Sequence, residues 1–301
     1  MFGIKRIINF IKRNINKKTY VEIALNNTSE NIITKRYPLF TKILTNKYIP
    51  IPNLDTNFIP QGICQADDYY VITAYDKMGL NNSKIYLIDK NGDLERTIEM
   101  DSKYHVGGVS FYKKTRMIYV SASKNVHAYK LDDLLRGKVV PIVININTGV
   151  KGHCTSYLNI TNNYIYVGEF GIKGNSFALR RYQLNSDGLV DNSLFKEYSV
   201  PYLYTQGMTV FEYKNEVYYI FSCSYRNIDS SLYISKQDGN TFKTIKCIKM
   251  PPMSEGVSIT NNKKLLIIFE SGSSYFKKVN IKCKSAMILD IKKIIDDISI
   301  I

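Results

Sequence analysis

The sequence predicts an all-β fold, a five-bladed β-propeller with four strands in each blade. Three observations carry this expectation. A short marker, centred on glycine in four of five copies, recurs along the chain. Strand-like runs separated by turn residues follow each copy. The last unit is one strand short, and an unassigned segment precedes the first.

The markers are IPQGI ending at Ile63, HVGGV at Val109, HCTSY at Tyr157, TQGM at Met208 and SEGV at Val257. With Gly62, Gly108, Ser156, Gly207 and Gly256 as equivalent positions, the steps are 46, 48, 51 and 49 residues, in the range of a four-stranded blade. Second strands are expected at YYVITAY (69–75), RMIYVSAS (116–123), NYIYVGEF (163–170), EVYYIFSCS (216–224) and KLLIIFES (264–271). Third strands follow at KIYLID, VHAYKL, LRRYQL, SLYISK and AMILDI. Turn signals such as KNGD, NSDG and KQDGN lead in the first four units to LERTIEM, VVPIVI, FKEYSV and FKTIKCI.

The fifth unit has no such strand, because DIKKIIDDISII reads as a short helix or tail. The segment around ITKRYPLFTKIL, near residues 32–45, is expected to supply it and close the ring, since closure removes exposed sheet edges. Six blades would need further strands in that segment. One domain then spans 21–301, preceded by a separate element over 1–20.

That element, MFGIKRIINFIKRNINKKTY, is helical in pattern. Ile4, Ile7, Ile8, Ile11 and Ile15 form one stripe among Lys5, Arg6, Lys12, Arg13, Lys17 and Lys18. Charges break the apolar run, so it reads neither as a signal peptide nor as a membrane span. It suits a basic amphipathic helix on an anionic membrane, or a helix packed on the propeller or a basic tail, as short amphipathic helices in soluble proteins commonly are. The chain is accordingly expected in the cytoplasm, with any membrane contact peripheral.

Forty-one basic residues against 26 acidic give a net charge of +15, and 24 Tyr and 13 Phe accompany no Trp. The aromatic and β-branched bias favours strands. The basic residues are scattered and form no nucleic-acid motif, so nucleic acid is not expected as a partner. The five cysteines, Cys64, Cys154, Cys223, Cys247 and Cys283, are too widely spaced for a disulfide framework or a zinc site and read as buried strand residues.

In a propeller the first strand of each blade lines the central channel. Period-two alternation turns residues one and three before the marker glycine towards it. The candidate ligand-binding set is Gln61, His105, His153, Gln206 and Glu255, at one mouth. Two imidazoles and a carboxylate are a donor set for a divalent metal, or an acid–base pair. The same side chains could instead tie strand ends and trapped water together. Loop acids such as Asp76 and Asp229 read as solvated turn residues.

PQG, HVGG and SEGV, with the following FESG, resemble bacterial β-propeller proteins loosely related to the strictosidine-synthase and regucalcin-like superfamily. The resemblance covers about 58–291 and implies the fold, not an activity. Glu169 in VGEF and Glu270 in FESG end second strands, and paired carboxylates suit glycoside hydrolysis. Five-bladed glycosidases as a family carry acids at several first-strand positions, where this chain has only Glu255. No nucleophile, phosphate-loop or metal motif is present. The expected function is a binding module for a small molecule, glycan or protein at the channel, the alternative a hydrolase or lyase acting through His105, His153 and Glu255.

Overall fold

The computed structural model describes residues 31–146, 155–171, 178–279 and 281–298. The expected N-terminal helix over 1–20 lies outside them. Among the described residues the chain forms five four-stranded antiparallel sheets. Blade one is β2 (Phe58–Ala66), β3 (Tyr69–Asp76), β4 (Lys84–Ile88) and β5 (Leu94–Glu99). Blade two is β6 (Val109–Tyr112), β7 (Met117–Ala122), β8 (Asn125–Lys130) and β9 (Ile142–Ile144), and blade three β10 (Tyr157–Ile160), β11 (Tyr164–Gly168), β12 (Ala178–Leu184) and β13 (Val190–Ser199). Blade four is β14 (Thr205–Tyr213), β15 (Glu216–Cys223), β16 (Ser230–Asp238) and β17 (Thr241–Met250). Blade five combines β18 (Ser254–Ile259), β19 (Leu265–Phe269) and β20 (Ser285–Leu289) with β1 (Leu44–Pro50), which pairs antiparallel to β20.

An N-terminal strand therefore closes the ring, but not the segment the sequence suggested. Residues 31–43 form two short helices, α1 (Asn31–Arg36) and α2 (Pro38–Ile43), and the strand begins at Leu44. Pro38 stands at the first turn of α2, where its missing N–H costs nothing. Phe40 and Ile43 then bury on one side. A third short helix, α3 (Leu131–Leu135), follows β8, and the C-terminal segment forms α4 (Lys292–Ile298).

Each blade has two faces, and a neighbour covers each. The core is accordingly five apolar layers, one at every blade interface. This is why β7 and β19 read as unbroken apolar runs: every residue in them is buried. The outer β5 and β13 show mostly exposed residues. Between blades four and five, Tyr37, Phe40 and Ile43 together with Ile294 and Ile295 of α4 cap the layer. Burying one such aliphatic side chain contributes about 1.5–3 kcal/mol. Cys64, Cys223 and Cys283 are buried as expected, whereas Cys247 is exposed on outer strand β17.

The marker glycines have a packing cause. A Cβ on Gly256 would lie 2.8 Å from the Gln61 carbonyl oxygen, and one on Gly207 would lie 3.0 Å from that of Glu255. The innermost strand of one blade meets the backbone of the next at these points, so only a residue without a side chain fits. The recurring motif thus marks close packing around the axis.

Candidate functional site at the channel mouth

First strands begin, and second strands end, at the same mouth of the channel. Gln61 and Glu255 therefore lie in the first halves of β2 and β18, while Tyr75 lies near the end of β3 and Glu270 directly follows β19, on adjacent blades one and five. Strand register shifts between Pro60 and Ile63, between Thr205 and Gly207, and between Ser254 and Val257. Gln61, Gln206 and Glu255 thus sit in β-bulges, which interrupt period-two alternation and re-aim side chains. His105 precedes β6 altogether. Regular period-two alternation therefore does not by itself set the direction of these side chains at this end of the strands.

Gln61 and Glu255 are each only 2% exposed. The Gln61 amide Nε2 donates to the Pro60 carbonyl at 3.0 Å and to Glu270 Oε2 at 3.3 Å. Burial pushes the Glu255 carboxyl well above its ordinary range, the charge of Glu270 pushes it further, and Lys77 only partly offsets this. Burial likewise pushes Glu270 up to about 7, against the pull of Lys77 and of the Gln61 hydrogen bond. Both carboxyls are thus held above their ordinary range, and near pH 7 Glu270 is divided between its two forms.

The positive counterpart comes from the loop after β3. Asp76 accepts from the backbone N–H groups of Met78, Leu80 and Asn81 and from the Asn81 side chain. It is 5% exposed and holds the loop in shape, so it is not the solvated turn residue the sequence suggested. Lys77, carried by that loop, donates from Nζ to the Tyr75 hydroxyl at 3.0 Å. Burial opposes the Lys77 charge, but the Tyr75 bond and the nearby Tyr75 and Glu270 outweigh it and hold the pKa above normal. The His105 ring packs on Tyr75, with centroids 4.6 Å apart. It is open to solvent yet walled by protein, and this enclosure and the Lys77 charge both lower its pKa.

The structure thus brings Gln61 and Glu255 together with Glu270, Lys77 and Tyr75, and sets His105 beside Tyr75. Gln206 is half-buried in the bulge of blade four. His153 lies outside the described residues. Among the described residues no three His, Cys, Asp or Glu side chains gather as a metal would need. Glu270 was visible in the FESG motif, but only the ring closure sets blade five beside blade one. Lys77 carried no sequence signal.

Tyr204 and Met253 precede β14 and β18 in the left-handed backbone region, with φ of 60° and 63°. Their carbonyls accept from Ser224 N–H and Glu270 N–H. Such non-glycine conformations cost about 1–3 kcal/mol and persist where surrounding structure enforces them. Asp229, on the β15–β16 loop of blade four, is also no solvated turn residue: Arg36, Tyr37 and Lys249 all reach its carboxylate, at 2.7 Å each. No described helix is long and apolar enough to cross a membrane.

The chain is a five-bladed β-propeller protein. No family model and no curated protein sequence matches it. It is similar to solved structures, among them a thermostable family-43 glycoside hydrolase, at 10% identity and TM-score 0.50, over 80% of this chain and 91% of that one. Another is the gluconolactonase XC5397 from Xanthomonas campestris, at 10% identity and TM-score 0.42, over 81% and 97%. The chain spans 65% of the length of the Myceliophteria thermophila Cps50 (Swd1) propeller domain, which covers 75% of this chain at 10% identity and TM-score 0.38. At these identities the likeness is one of fold alone.

Proposed function

We propose that the propeller binds a small polar molecule at the mouth between blades one and five and hydrolyses it by general acid–base chemistry. Glu255 is the acid and Glu270 the base. The observation that carries this reading is the carboxyl pair, buried Glu255 beside half-buried Glu270, with both pushed above the ordinary carboxylate range and Glu270 to about 7. Two carboxyls whose environments separate their proton affinities supply a donor and an acceptor at one pH. Strongly perturbed groups of this kind gather at functional sites more than elsewhere. Lys77 offers a fixed positive charge for an oxyanion, and Tyr75 orients the ammonium. His105, its pKa held below the ordinary imidazole value, lines the same mouth, so the pair Glu255–Glu270 takes the role expected of the imidazoles.

The part-buried Gln61–Glu270 bond favours a second reading, in which the pair ties blades one and five and the mouth only binds. A panel of lactones, aryl esters and aryl glycosides separates the two. Turnover should depend on a group titrating near 7, and Glu255→Gln and Glu270→Gln should each lower it by about 10²-fold or more while remaining folded. Turnover unchanged in both variants, or ligand binding with no turnover across the panel, would overturn the enzymatic reading.

A further inference from the structure

We infer that blade four carries a second, separate binding site, a saccharide subsite walled by tyrosines. A cavity of about 380 Å³ opens at the channel-mouth end of this blade, between the 201–204 connection and the loop after β15. That volume lies within the range of small-molecule sites. Two stacked tyrosine pairs line it. Tyr204 and Tyr225 lie 4.3 Å apart at 17°, and Tyr202 and Tyr233 lie 4.2 Å apart at 10°. Stacking fixes the orientation of all four rings before any ligand arrives, which limits the ordering cost of binding. Tyr204 is placed there by a left-handed backbone that a tyrosine adopts only under constraint.

Aromatic walls of this kind suit two ligand classes, a cation or a ring with an apolar face. The charges nearby decide between them. The one carboxylate lining the cavity, Asp229, is already met by Arg36 and Lys249, and the Arg226 guanidinium lies 4.9 Å from the Tyr225 ring centre. A cationic ligand would enter a region of unfavourable charge. A sugar ring fits instead, presenting its C–H face to the tyrosines and its hydroxyls to Ser224 and Ser231, which also line the cavity. Arg226 further favours a ring bearing a carboxylate over a neutral one.

The site shares no residue with the acid pair, so the inference stands apart from the proposed reaction. The test is a glycan array that includes uronic-acid-containing oligosaccharides, probed with the full chain. The hits are then titrated by calorimetry against Tyr225→Ala, Tyr204→Ala, Tyr225→Phe and Glu270→Gln, each checked by thermal melt. Saccharide binding should weaken at least tenfold in Tyr225→Ala and Tyr204→Ala and persist in Tyr225→Phe and Glu270→Gln. Arg226→Gln should weaken acidic glycans more than neutral ones. No bound glycan on the array would overturn the inference. So would binding that survives both alanine changes, and binding lost only in Glu270→Gln would place the sugar at the acid pair instead.

Discussion

Glu255 and Glu270 differ in what holds their protons, and this makes their behaviour separable. Glu255 feels burial first and the Glu270 charge second, so Glu270→Gln should lower its pKa. Lys77 draws both carboxyls downward, so Lys77→Met should raise Glu270 above about 7. Carboxyl carbon shifts followed by NMR against pH would check both directions; an unmoved Glu270 in Lys77→Met would separate the lysine from the pair. The sign for stability follows from the raised folded value. Glu270 binds its proton more tightly when folded, so its contribution is full below the unfolded carboxyl value, about 4.3, and declines as pH rises to about 7. Denaturant melts should show the wild type losing stability over that window, with a flatter profile in Glu270→Gln. Gln61 and Glu255 were legible in the sequence because they flank repeated glycines. Lys77 was not, because a lysine in a polar loop gains meaning only when Asp76 fixes that loop against Tyr75.

Among the elements, the strands were the most legible part of the chain and their ends the least. Middle strands announce themselves because both faces are buried and the run of apolar residues is continuous. Turns such as KNGD and NSDG are equally plain. Asp89 Oδ1 and Asn185 Oδ1 accept backbone N–H groups two and four residues on, and Gly92 and Gly188 take φ of 97° and 80°. A bulge leaves no such trace, since one added residue changes the direction of a side chain without changing composition. That is why the markers located the mouth but gave no sign of the bulges there. The same markers allow a sharp test of the packing account. Gly256→Ala would press a methyl group against the backbone of Gln61 and Gly62, at 2.8 and 2.9 Å. Backbone cannot swing aside, so the change should cost about 1–3 kcal/mol. A denaturant midpoint unchanged in Gly256→Ala would mean that the inner strands pack less tightly than these distances state.

At the scale of the whole molecule, the ring is held shut by chain segments distant in sequence. The N-terminal strand was legible as a deficit in the last unit, but ITKRYPLFTKIL misled because its apolar residues bury as helices against blades four and five, not as a strand. Asp229 fastens those helices through Arg36 and Tyr37, and Lys249 joins it from β17. Burial works against its charge, but these three hydrogen bonds prevail and hold its carboxyl below the ordinary range. Its contribution is therefore present above the unfolded value, about 3.9, and is lost as pH falls through the lower folded value. Asp229→Ala should cost about 1–3 kcal/mol, because the Tyr37 hydroxyl loses its partner. The loss should be seen at pH 7 and shrink in strong acid.

The most demanding prediction concerns closure itself. Removing residues 1–50 takes away β1 and with it the partner of β20, leaving blade five with three strands and an open edge. It also strips Ile49 from the layer between blades five and one, and Tyr37, Phe40 and Ile43 from the layer between blades four and five. Four such buried side chains account for roughly 6–12 kcal/mol of apolar burial, as much as the whole stability margin of many domains. The truncated chain should lose its cooperative thermal transition and associate through the exposed β20 edge. A chain lacking only residues 1–20 provides the control. Size-exclusion chromatography and circular dichroism on the two truncations check this, and a monomeric, cooperatively melting chain that begins at residue 51 would show that the propeller does not need its N-terminal strand.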